Sequence, residues 1–253
     1  MTGLTLGLLG SGEFEPWAEA VDRWLLEHAR RGDGTVLVLP TASAPEGDEV
    51  FDFWASKGMD HYRRMGVPAE LLPIRDREDA GRPEFAARLE HASAVFFSGG
   101  NPASLARILA GTAFWRELVH AMRDGLAYGG CSAGVACLPA LAPDSSIQTL
   151  EEIRRDGWKP GLHLFSDVVF MPHWDALDAY LPGLTEWVIA ALPAGSDLVA
   201  IDEDTALVGD GTAWSVLGSG RVHVLSSGAW AHHPAGQDLE LALTPGPELR
   251  SSR

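Results

Sequence analysis

The chain has 253 residues, 46% of them hydrophobic, and a formal net charge of −16 at pH 7. This length and composition predict one large α/β domain, and no apolar run approaches the about 20 residues that a membrane helix needs. The excess of acidic residues argues against nucleic acid or an anionic membrane as a partner.

In the first half of the chain, apolar segments of strand length alternate with amphipathic segments of helical length. The predicted strands are 4–9, 34–40, 69–74, 92–97 and 125–130. The predicted helices are 16–31, 48–65, 83–90, 101–110 and 113–123. This alternation predicts a mostly parallel sheet with helices on both faces, which is a three-layer αβα sandwich.

The second half of the chain has a looser pattern. Turn residues and charges over 139–159 predict a surface loop or flap, followed by strands at 168–171 and 198–201 around a helix at 176–192. Segments separated by Gly-rich turns predict an antiparallel ribbon at the sheet edge, formed by 205–208, 213–216 and 222–225. We predict a single catalytic domain over 1–235 and a C-terminal tail over 236–253, whose last few residues are disordered.

The N-terminus and the cysteines indicate the compartment. Residues 1–7 have neither a basic segment nor a cleavage site, so we predict a first strand there and no secretory signal. Cys131 and Cys137 are six positions apart, and no metal-ligand pattern surrounds them. We therefore predict free thiols and a cytoplasmic protein, with no metal and no cofactor.

The segment Gly130-Cys131-Ser132-Ala133-Gly134 lies between a predicted strand and a predicted buried helix. Small residues two positions on either side of a nucleophile are what a sharp strand-to-helix turn requires, because a larger side chain would collide with the neighbouring strand. Such a turn would expose the hydroxyl of Ser132, and it predicts a serine hydrolase. An ordinary Gly-Gly turn is the alternative, since this pentapeptide also occurs by chance.

A second polar segment, Ser98-Gly99-Gly100-Asn101, follows the fourth predicted strand and begins a helix. Paired glycines allow backbone N–H groups to approach a ligand closely. We predict that Gly100, or failing that Gly99, donates one N–H to an oxyanion and that Ala133 donates the other. A phosphate site fits less well, because the Walker lysine and a third glycine are missing, and a simple helix cap is the structural alternative.

A serine hydroxyl needs a base, and histidine is the usual one. His173 follows the apolar strand at 168–171 and stands at a strand end, where functional residues of such sheets concentrate. We predict that this strand neighbours the serine turn and that His173 is the base. His163 is a weaker candidate, because its surroundings are those of a loop.

The predicted base needs a carboxylate to orient it. Asp202-Glu203-Asp204 ends the strand at 198–201, and three adjacent acids repel one another unless some are exposed or paired. One of them is therefore a candidate partner of His173. Asp144, twelve residues after the serine, is a second candidate, and a solvated turn is the alternative for the acidic triplet.

Four motifs now stand in order and at suitable spacing: Phe97-Ser98-Gly99-Gly100-Asn101, Gly130-Cys131-Ser132-Ala133-Gly134, Pro172-His173 and Ile201-Asp202-Glu203-Asp204-Thr205-Ala206. Together they resemble the serine peptidase family of dipeptidase E (aspartyl dipeptidase) and cyanophycinase, over residues 4–225. That family has the class I glutamine amidotransferase-like fold. The joint occurrence of four motifs is far more specific than any one of them.

The resemblance implies a complete set of site residues. These are the nucleophile Ser132, the base His173, the acid Glu203, and the oxyanion donors Gly100 and Ala133. It also places Asn101 in the substrate cleft, where we further expect Gly99 and Asp144 to contact a small peptide substrate. No cofactor is implied.

One departure from the family bears on the substrate. Family members that cleave after aspartate, or cleave cyanophycin, carry arginines shortly after the histidine, whereas segment 174–181 contains Asp175 and Asp178 and neither Arg nor Lys. Two carboxylates there would repel an acidic side chain. The nearest cations lie in the preceding loop: Arg154, Arg155 and Lys159. We therefore predict a peptidase for short peptides that does not prefer aspartate.

Other interpretations stay open. An α/β-hydrolase esterase would need a histidine after the acid, and His223 and two later histidines are available, although no His-Gly-Gly loop is present. A cysteine enzyme would place Cys131 at the turn after a shift of one register. A binding module would keep the fold and lack the reaction. The intact set of predicted site residues argues against this interpretation. For the substrate, the alternative is a cyanophycinase-like peptidase. For the assembly, the alternative to a monomer is a homodimer.

Overall fold

The computed structural model of the protein describes residues 3–250. Within that range its sixteen β-strands are β1 Leu6–Leu9, β2 Thr35–Leu39, β3 Ala69–Leu71, β4 Ala92–Phe97, β5 Ala127–Cys131, β6 Leu141–Pro143, β7 Trp158–Pro160, β8 Phe165–Ser166, β9 Val168–Pro172, β10 Asp197–Ile201, β11 Thr205–Gly209, β12 Ala213–Gly218, β13 Arg221–Ser226, β14 Ala229–Pro234, β15 Asp238–Glu240 and β16 Thr244–Pro245.

The same range contains ten α-helices. They are α1 Glu19–His28, α2 Asp48–Met65, α3 Pro83–Ala87, α4 Pro102–Leu109, α5 Ala113–Arg123, α6 Ala133–Ala136, α7 Leu150–Asp156, α8 Leu177–Tyr180, α9 Leu184–Ala190 and α10 Pro247–Arg250. Short 3₁₀ turns lie at Pro16–Ala18, Thr41–Glu46, Asp79–Gly81 and Arg88–Glu90. None of the helices in this part of the chain is long and apolar enough to cross a membrane.

The strands form a large central sheet with the order β15-β12-β11-β1-β5-β4-β2-β3. From β1 to β3 the neighbours pair in parallel, and β11, β12 and β15 extend the sheet antiparallel beyond β1. A second sheet has the order β14-β13-β10-β9, in which β9 and β10 are parallel. The parallel core of the central sheet agrees with the alternation of segments in the sequence.

Alternate side chains of the central strands enter two separate cores. Val36 and Val38 of β2 pack in the core that includes α1 and α2 side chains, whereas Leu37 and Leu39 pack in the core that includes α4 and α5. Because successive side chains point to opposite faces, a strand covered on both sides must be apolar throughout, as β2 is. Helices cover both faces, and the predicted three-layer αβα sandwich is confirmed.

The second sheet packs into the same core as α4 and α5. Phe170 and Val199 enter that core, while Val169 and Leu198, on the opposite face of the same two strands, pack with α8 and α9. The strand predicted at 168–171 therefore neighbours the serine turn by packing against α6, and it does not pair with β5. This arrangement brings the ends of β9 and β10 to the serine turn from a separate sheet.

The predicted antiparallel ribbon is divided between the two sheets. Residues 222–225 belong to β13, which pairs with β10 and β14 and not with β12. The turn after β12 carries the chain across, and it needs glycine: Gly218 has φ +102°, and a Cβ there would lie 2.1 Å from the Asp204 carbonyl oxygen. Alternating apolar residues specify a strand, but they do not specify which sheet it joins.

Two other segments are more structured or more divided than the sequence predicts. The predicted flap over 139–159 contains β6, α7 and β7, with β6 and β7 paired. The predicted helix over 176–192 is divided into α8 and α9 at Pro182 and Gly183, because proline disrupts a continuing helix and Gly183 adopts φ +87°.

The segment predicted as a tail contributes to the folded domain as far as residue 250. β15 adds to the edge of the central sheet beside β12, β16 pairs with β8, and Leu249 of α10 is only 3% exposed. Residues 251–253, which include those predicted to be disordered, lie outside the described residues.

Replacing Leu239 by alanine tests whether β15 is integral to the sheet. Leu239 is 8% exposed and packs in the larger core, so Leu239→Ala should lower the free energy of unfolding by about 2 kcal/mol. The exposed neighbour Glu240 is the control, and Glu240→Ala should change it by less than about 0.5 kcal/mol. Urea denaturation measures both. Equal, small effects would contradict the packing of β15.

Candidate active site

The turn between β5 and α6 holds Ser132 in an unusual backbone conformation, with φ 51° and ψ −104°. Its N–H donates to the carbonyl oxygen of Leu9 at 3.0 Å, which fixes the turn to β1. A Cβ at Gly130 would lie 2.6 Å from the Gly134 carbonyl oxygen, and one at Gly134 would lie 2.8 Å from that of Phe97. The flanking glycines are therefore required by close backbone contact, as the pentapeptide predicted.

Ser132 and two later residues form a continuous hydrogen-bonded chain. His173 Nε2 lies 2.6 Å from Ser132 Oγ, and His173 Nδ1 lies 3.0 Å from Glu203 Oε1. The pairing of β9 with β10 explains the approach: Pro172 is opposite Ile201, so the residues after both strands emerge side by side. The sequence named these three residues, and the structure brings them together.

Glu203 is held by further groups. The hydroxyl of Tyr180 donates to its Oε1 at 2.9 Å, and its backbone N–H donates to Asp175 at 2.9 Å. The hydrogen bond with His173, aided by that from Tyr180, lowers the pKa of the Glu203 carboxyl against the opposing effect of burial. Glu203 is therefore ionised at neutral pH and accepts the Nδ1 proton, which leaves Nε2 free to accept from Ser132.

The two glycines after β4 have different roles. Gly99 donates its N–H to Glu13 Oε1 at 2.8 Å, so this group is occupied. Gly100 adopts φ +142°, where a Cβ would lie 2.4 Å from the backbone of Ala42. Within residues 3–250, neither the Gly100 N–H nor the Ala133 N–H has an assigned hydrogen-bond partner. Of the two glycines predicted as oxyanion donors, Gly100 and not Gly99 has an N–H group that is available.

Glu13 is a site residue that the sequence analysis missed. Its side chain is buried, and besides Gly99 it accepts from Cys131 Sγ at 2.9 Å. It thus joins the glycine loop after β4 to the strand that leads into the serine turn. The missed signal is its position: Glu13 closely follows β1, another strand that ends at this edge of the sheet.

Cys131 does not occupy the apex of the turn. It is the last residue of β5, its side chain is fully buried, and burial together with the neighbouring Glu13 carboxylate raises the pKa of its thiol well above the usual range. A thiol of this kind is a poor nucleophile. The one-residue shift considered for a cysteine enzyme is therefore not the register of this turn.

The other candidate acids have different partners. Asp202 accepts from His223 Nε2 at 2.9 Å and from the Arg221 N–H, so it does not orient His173. Asp144 accepts from Asn101 Nδ2 at 2.9 Å and from Ser146, and it also does not orient His173. Burial opposes ionisation of Asp144, but these hydrogen bonds outweigh it and lower the pKa of its carboxyl.

The Asn101 side chain hydrogen-bonds Asp144 and caps the start of α4. Its Oδ1 accepts from the Ser104 N–H at 2.9 Å, which is the helix cap considered as the structural alternative. Its Nδ2 is used by Asp144, and Asp144, unlike Asn101, lines the cavity beside Ser132. Asn101 is therefore joined to the cavity wall through Asp144, and its place in the substrate cleft stays a prediction.

The other histidines lie elsewhere. His223 hydrogen-bonds Asp202 and His232, the latter at 2.7 Å between Nδ1 atoms, and Ser132 is not among its partners. His163 is exposed and contacts Ser166. Neither the serine–acid–histidine order of an α/β-hydrolase nor the His163 alternative matches this geometry.

A cavity of about 830 Å³ opens beside Ser132 and is lined by Gly99, Gly100, Asp144, His173 and Glu203 together with many apolar side chains. None of the described lysines or arginines lines it. Arg154 and Arg155 are exposed on α7, and Lys159 forms an ion pair with Asp156. Among residues 3–250, no group of three or more His, Cys, Asp or Glu side chains is arranged to hold a metal ion.

The sequence of the chain matches a known family of proteins. The family described as Peptidase family S51 matches the chain over residues 6–217, which is most of its length. The protein therefore belongs to peptidase family S51. The resemblance inferred from four motifs is confirmed by this match.

Individual proteins show the same likeness. Cyanophycinase from Synechococcus elongatus is 31% identical over 208 residues, which cover 76% of this chain and 59% of that protein. Peptidase E from Streptomyces coelicolor is 37% identical over 134 residues, 51% of each chain. The solved structure of a peptidase from an acI-B1 actinobacterium is 30% identical, with a TM-score of 0.85 over 95% of this chain and 98% of that one. The chain spans 59% of the length of that cyanophycinase.

Removing the Glu13 carboxylate should destabilise the protein. Glu13→Ala leaves the buried Gly99 N–H without an acceptor and should lower the free energy of unfolding by about 1–3 kcal/mol, whereas Glu13→Gln keeps an acceptor and should cost less. The control is Glu15→Ala, which removes an exposed ion pair with Lys57 and should change stability by less than about 1 kcal/mol. Urea denaturation compares the three. A Glu13→Ala variant as stable as Glu15→Ala would contradict this role.

Proposed function

We propose that this protein is a serine peptidase that hydrolyses short peptides through Ser132, His173 and Glu203. The observation that carries the proposal is the chain of contacts of 2.6 Å and 3.0 Å that joins these residues. His173 Nε2 takes the proton from Ser132 Oγ as that oxygen attacks the peptide carbonyl carbon. Glu203 holds the imidazole in the required tautomer and stabilises the imidazolium that forms.

The negative charge of the tetrahedral intermediate needs donors that are already in position. The N–H groups of Gly100 and Ala133, which have no hydrogen-bond partner among the described residues, supply them in this proposal. Loss of one such donor typically costs about 2.7–4 kcal/mol of transition-state stabilisation. His173 then protonates the leaving amine, and a water molecule activated by the same imidazole hydrolyses the acyl-enzyme.

Membership of peptidase family S51 and the likeness to proteins named peptidase E and cyanophycinase support peptide bonds as the reactive group over esters. A cyanophycinase-like activity is the second candidate, favoured by the 31% identity to that relative. An esterase would use the same Ser132–His173 contact, but the relatives described above are named cyanophycinase, peptidase E and peptidase.

The lining of the cavity supports a preference other than aspartate. No described Lys or Arg faces the cavity to neutralise a substrate carboxylate, and Asp144, whose lowered pKa keeps it ionised, would repel one. Asp175 and Asp178, expected to provide this repulsion, instead lie exposed and accept backbone N–H bonds from Glu203 and Thr185. The repulsion is therefore assigned to Asp144.

Labelling with a serine-directed fluorophosphonate tests the proposed nucleophile. The wild-type protein should react, Ser132→Ala should not, and His173→Ala should react at least about 1,000-fold more slowly because its base is missing. His223→Ala, which removes a histidine bonded to Asp202, should react at the wild-type rate. Mass spectrometry of the labelled peptide identifies the modified residue. Labelling that survives in Ser132→Ala, or that depends on His223, would refute the assignment.

The preference is tested with two short peptides that differ only in Asp or Asn before the scissile bond. Because the cavity offers no described cation, kcat/KM for the Asp peptide should not exceed that for the Asn peptide. Steady-state hydrolysis measures both values. A preference for Asp of about tenfold or more, the size that one specific contact provides, would contradict the proposal.

A further inference from the structure

The cavity beside Ser132 has one wall made almost entirely of apolar side chains, here called the apolar chamber. It is formed by Ile153, Met171, Leu177, Leu184, Trp187 and Val188. These side chains come from α7, β9, α8 and α9, which are three helices and the strand that leads to His173. The apolar chamber and the reactive hydroxyl therefore belong to one continuous cavity.

The walls of the apolar chamber are firmly packed. Val188 is fully buried, and Leu177 and Ile153 are largely buried. Trp187 stacks on Trp158, with ring centroids 5.2 Å apart and planes inclined by 27°. Aromatic and branched side chains held in this way keep their shape when a ligand enters, so the apolar chamber is a preformed surface.

Gly157 provides the room for this packing. A Cβ at Gly157 would lie 2.7 Å from the Trp187 ring and 2.6 Å from the Ile153 carbonyl oxygen. The Trp158 indole N–H is used as well, since it donates to the carbonyl oxygen of Ala191 at 3.2 Å. The two tryptophans are thus fixed both by contact and by hydrogen bonding.

The charges around the cavity decide which side chains enter it. Its acidic side chains are Glu13, Glu46, Asp144 and Glu203, and its other ionisable side chains are His173 and Tyr180. None of the described lysines or arginines faces it. A substrate carboxylate placed in the apolar chamber would lose its water without gaining an opposite charge, which is costly. An aliphatic or aromatic side chain placed there gains free energy by leaving water.

We propose that the apolar chamber is the subsite for a large aliphatic or aromatic side chain of a residue that flanks the scissile bond. The inference rests on the proposed peptidase function and adds the substrate class: short peptides with a residue such as Phe or Leu beside the cleaved bond. The cavity volume of about 830 Å³ leaves room for such a side chain together with the peptide backbone.

The first experiment is a panel of short peptides in which the residue before and the residue after the scissile bond are each varied among Phe, Leu, Ala, Asp and Arg. Wild-type kcat/KM should be highest when one of the two positions holds Phe or Leu, and it should exceed that of the Asp peptide by about 100-fold, within the range reported for apolar pockets. The position that shows the effect identifies the side that the apolar chamber serves.

The second experiment alters the apolar chamber. Leu184→Ala shortens one wall and should lower kcat/KM for the best Phe peptide about tenfold, with little effect on the Ala peptide. Ile189→Ala is the matched control, because Ile189 is on the same helix, 39% exposed and outside the cavity, and its kinetics should equal those of the wild type. Leu184→Lys should weaken hydrolysis of the Phe peptide and strengthen that of the Asp peptide.

The outcomes distinguish failure of the apolar subsite from failure of the peptidase function. Suppose that Ser132 is labelled and peptides are hydrolysed. If kcat/KM is then highest for the Asp peptides, or equal for all peptides, the apolar subsite is refuted and the peptidase proposal stands. If no peptide is hydrolysed and Ser132 does not react, the proposed function itself fails. The wild-type panel is decisive even if a Leu184 variant does not fold.

Discussion

The backbone turn at Ser132 is the constraint on which the rest of the site depends. A non-glycine residue at φ 51° and ψ −104° lies outside the well-populated regions, and such strain costs of the order of 1–3 kcal/mol. The turn persists because Gly130 and Gly134 allow backbone contacts that any side chain would prevent, and because Leu9 accepts the Ser132 N–H. This turn holds the Ser132 hydroxyl at the cavity wall, within hydrogen-bonding distance of His173 Nε2.

Two sheets meet at this turn, and each supplies part of the candidate site. The central sheet provides Ser132, Glu13 and the glycine loop after β4, while the parallel pair β9 and β10 of the second sheet provides His173 and Glu203. The common core, which includes Phe170 and Val199, fixes the second sheet against the central one. Packing far from Ser132 thus sets the 2.6 Å contact between Ser132 and His173. The helices outside the second sheet, α8 and α9, form part of the wall that we propose as the subsite.

Local patterns predicted much of this from the sequence alone. The helix at 48–65 and the strand at 92–97 have the predicted bounds. Ser132 and His173, predicted from local patterns, lie together with Glu203, which the family resemblance implied. What failed depends on partners distant in sequence. The alternation of apolar residues did not predict that 222–225 joins the second sheet. The amino-acid composition of 238–250 did not predict that this segment packs on the domain. Glu13 was missed because its two partners, Gly99 and Cys131, lie more than 80 positions away.

The most direct measurement is a crystal structure of the protein with a phosphonate bound covalently to Ser132. We expect the phosphonyl oxygen to accept from the N–H groups of Gly100 and Ala133 at about 2.7–3.1 Å, with the His173 imidazole beside the Ser132 oxygen. An adduct on another residue, or a phosphonyl oxygen directed away from both N–H groups, would contradict it.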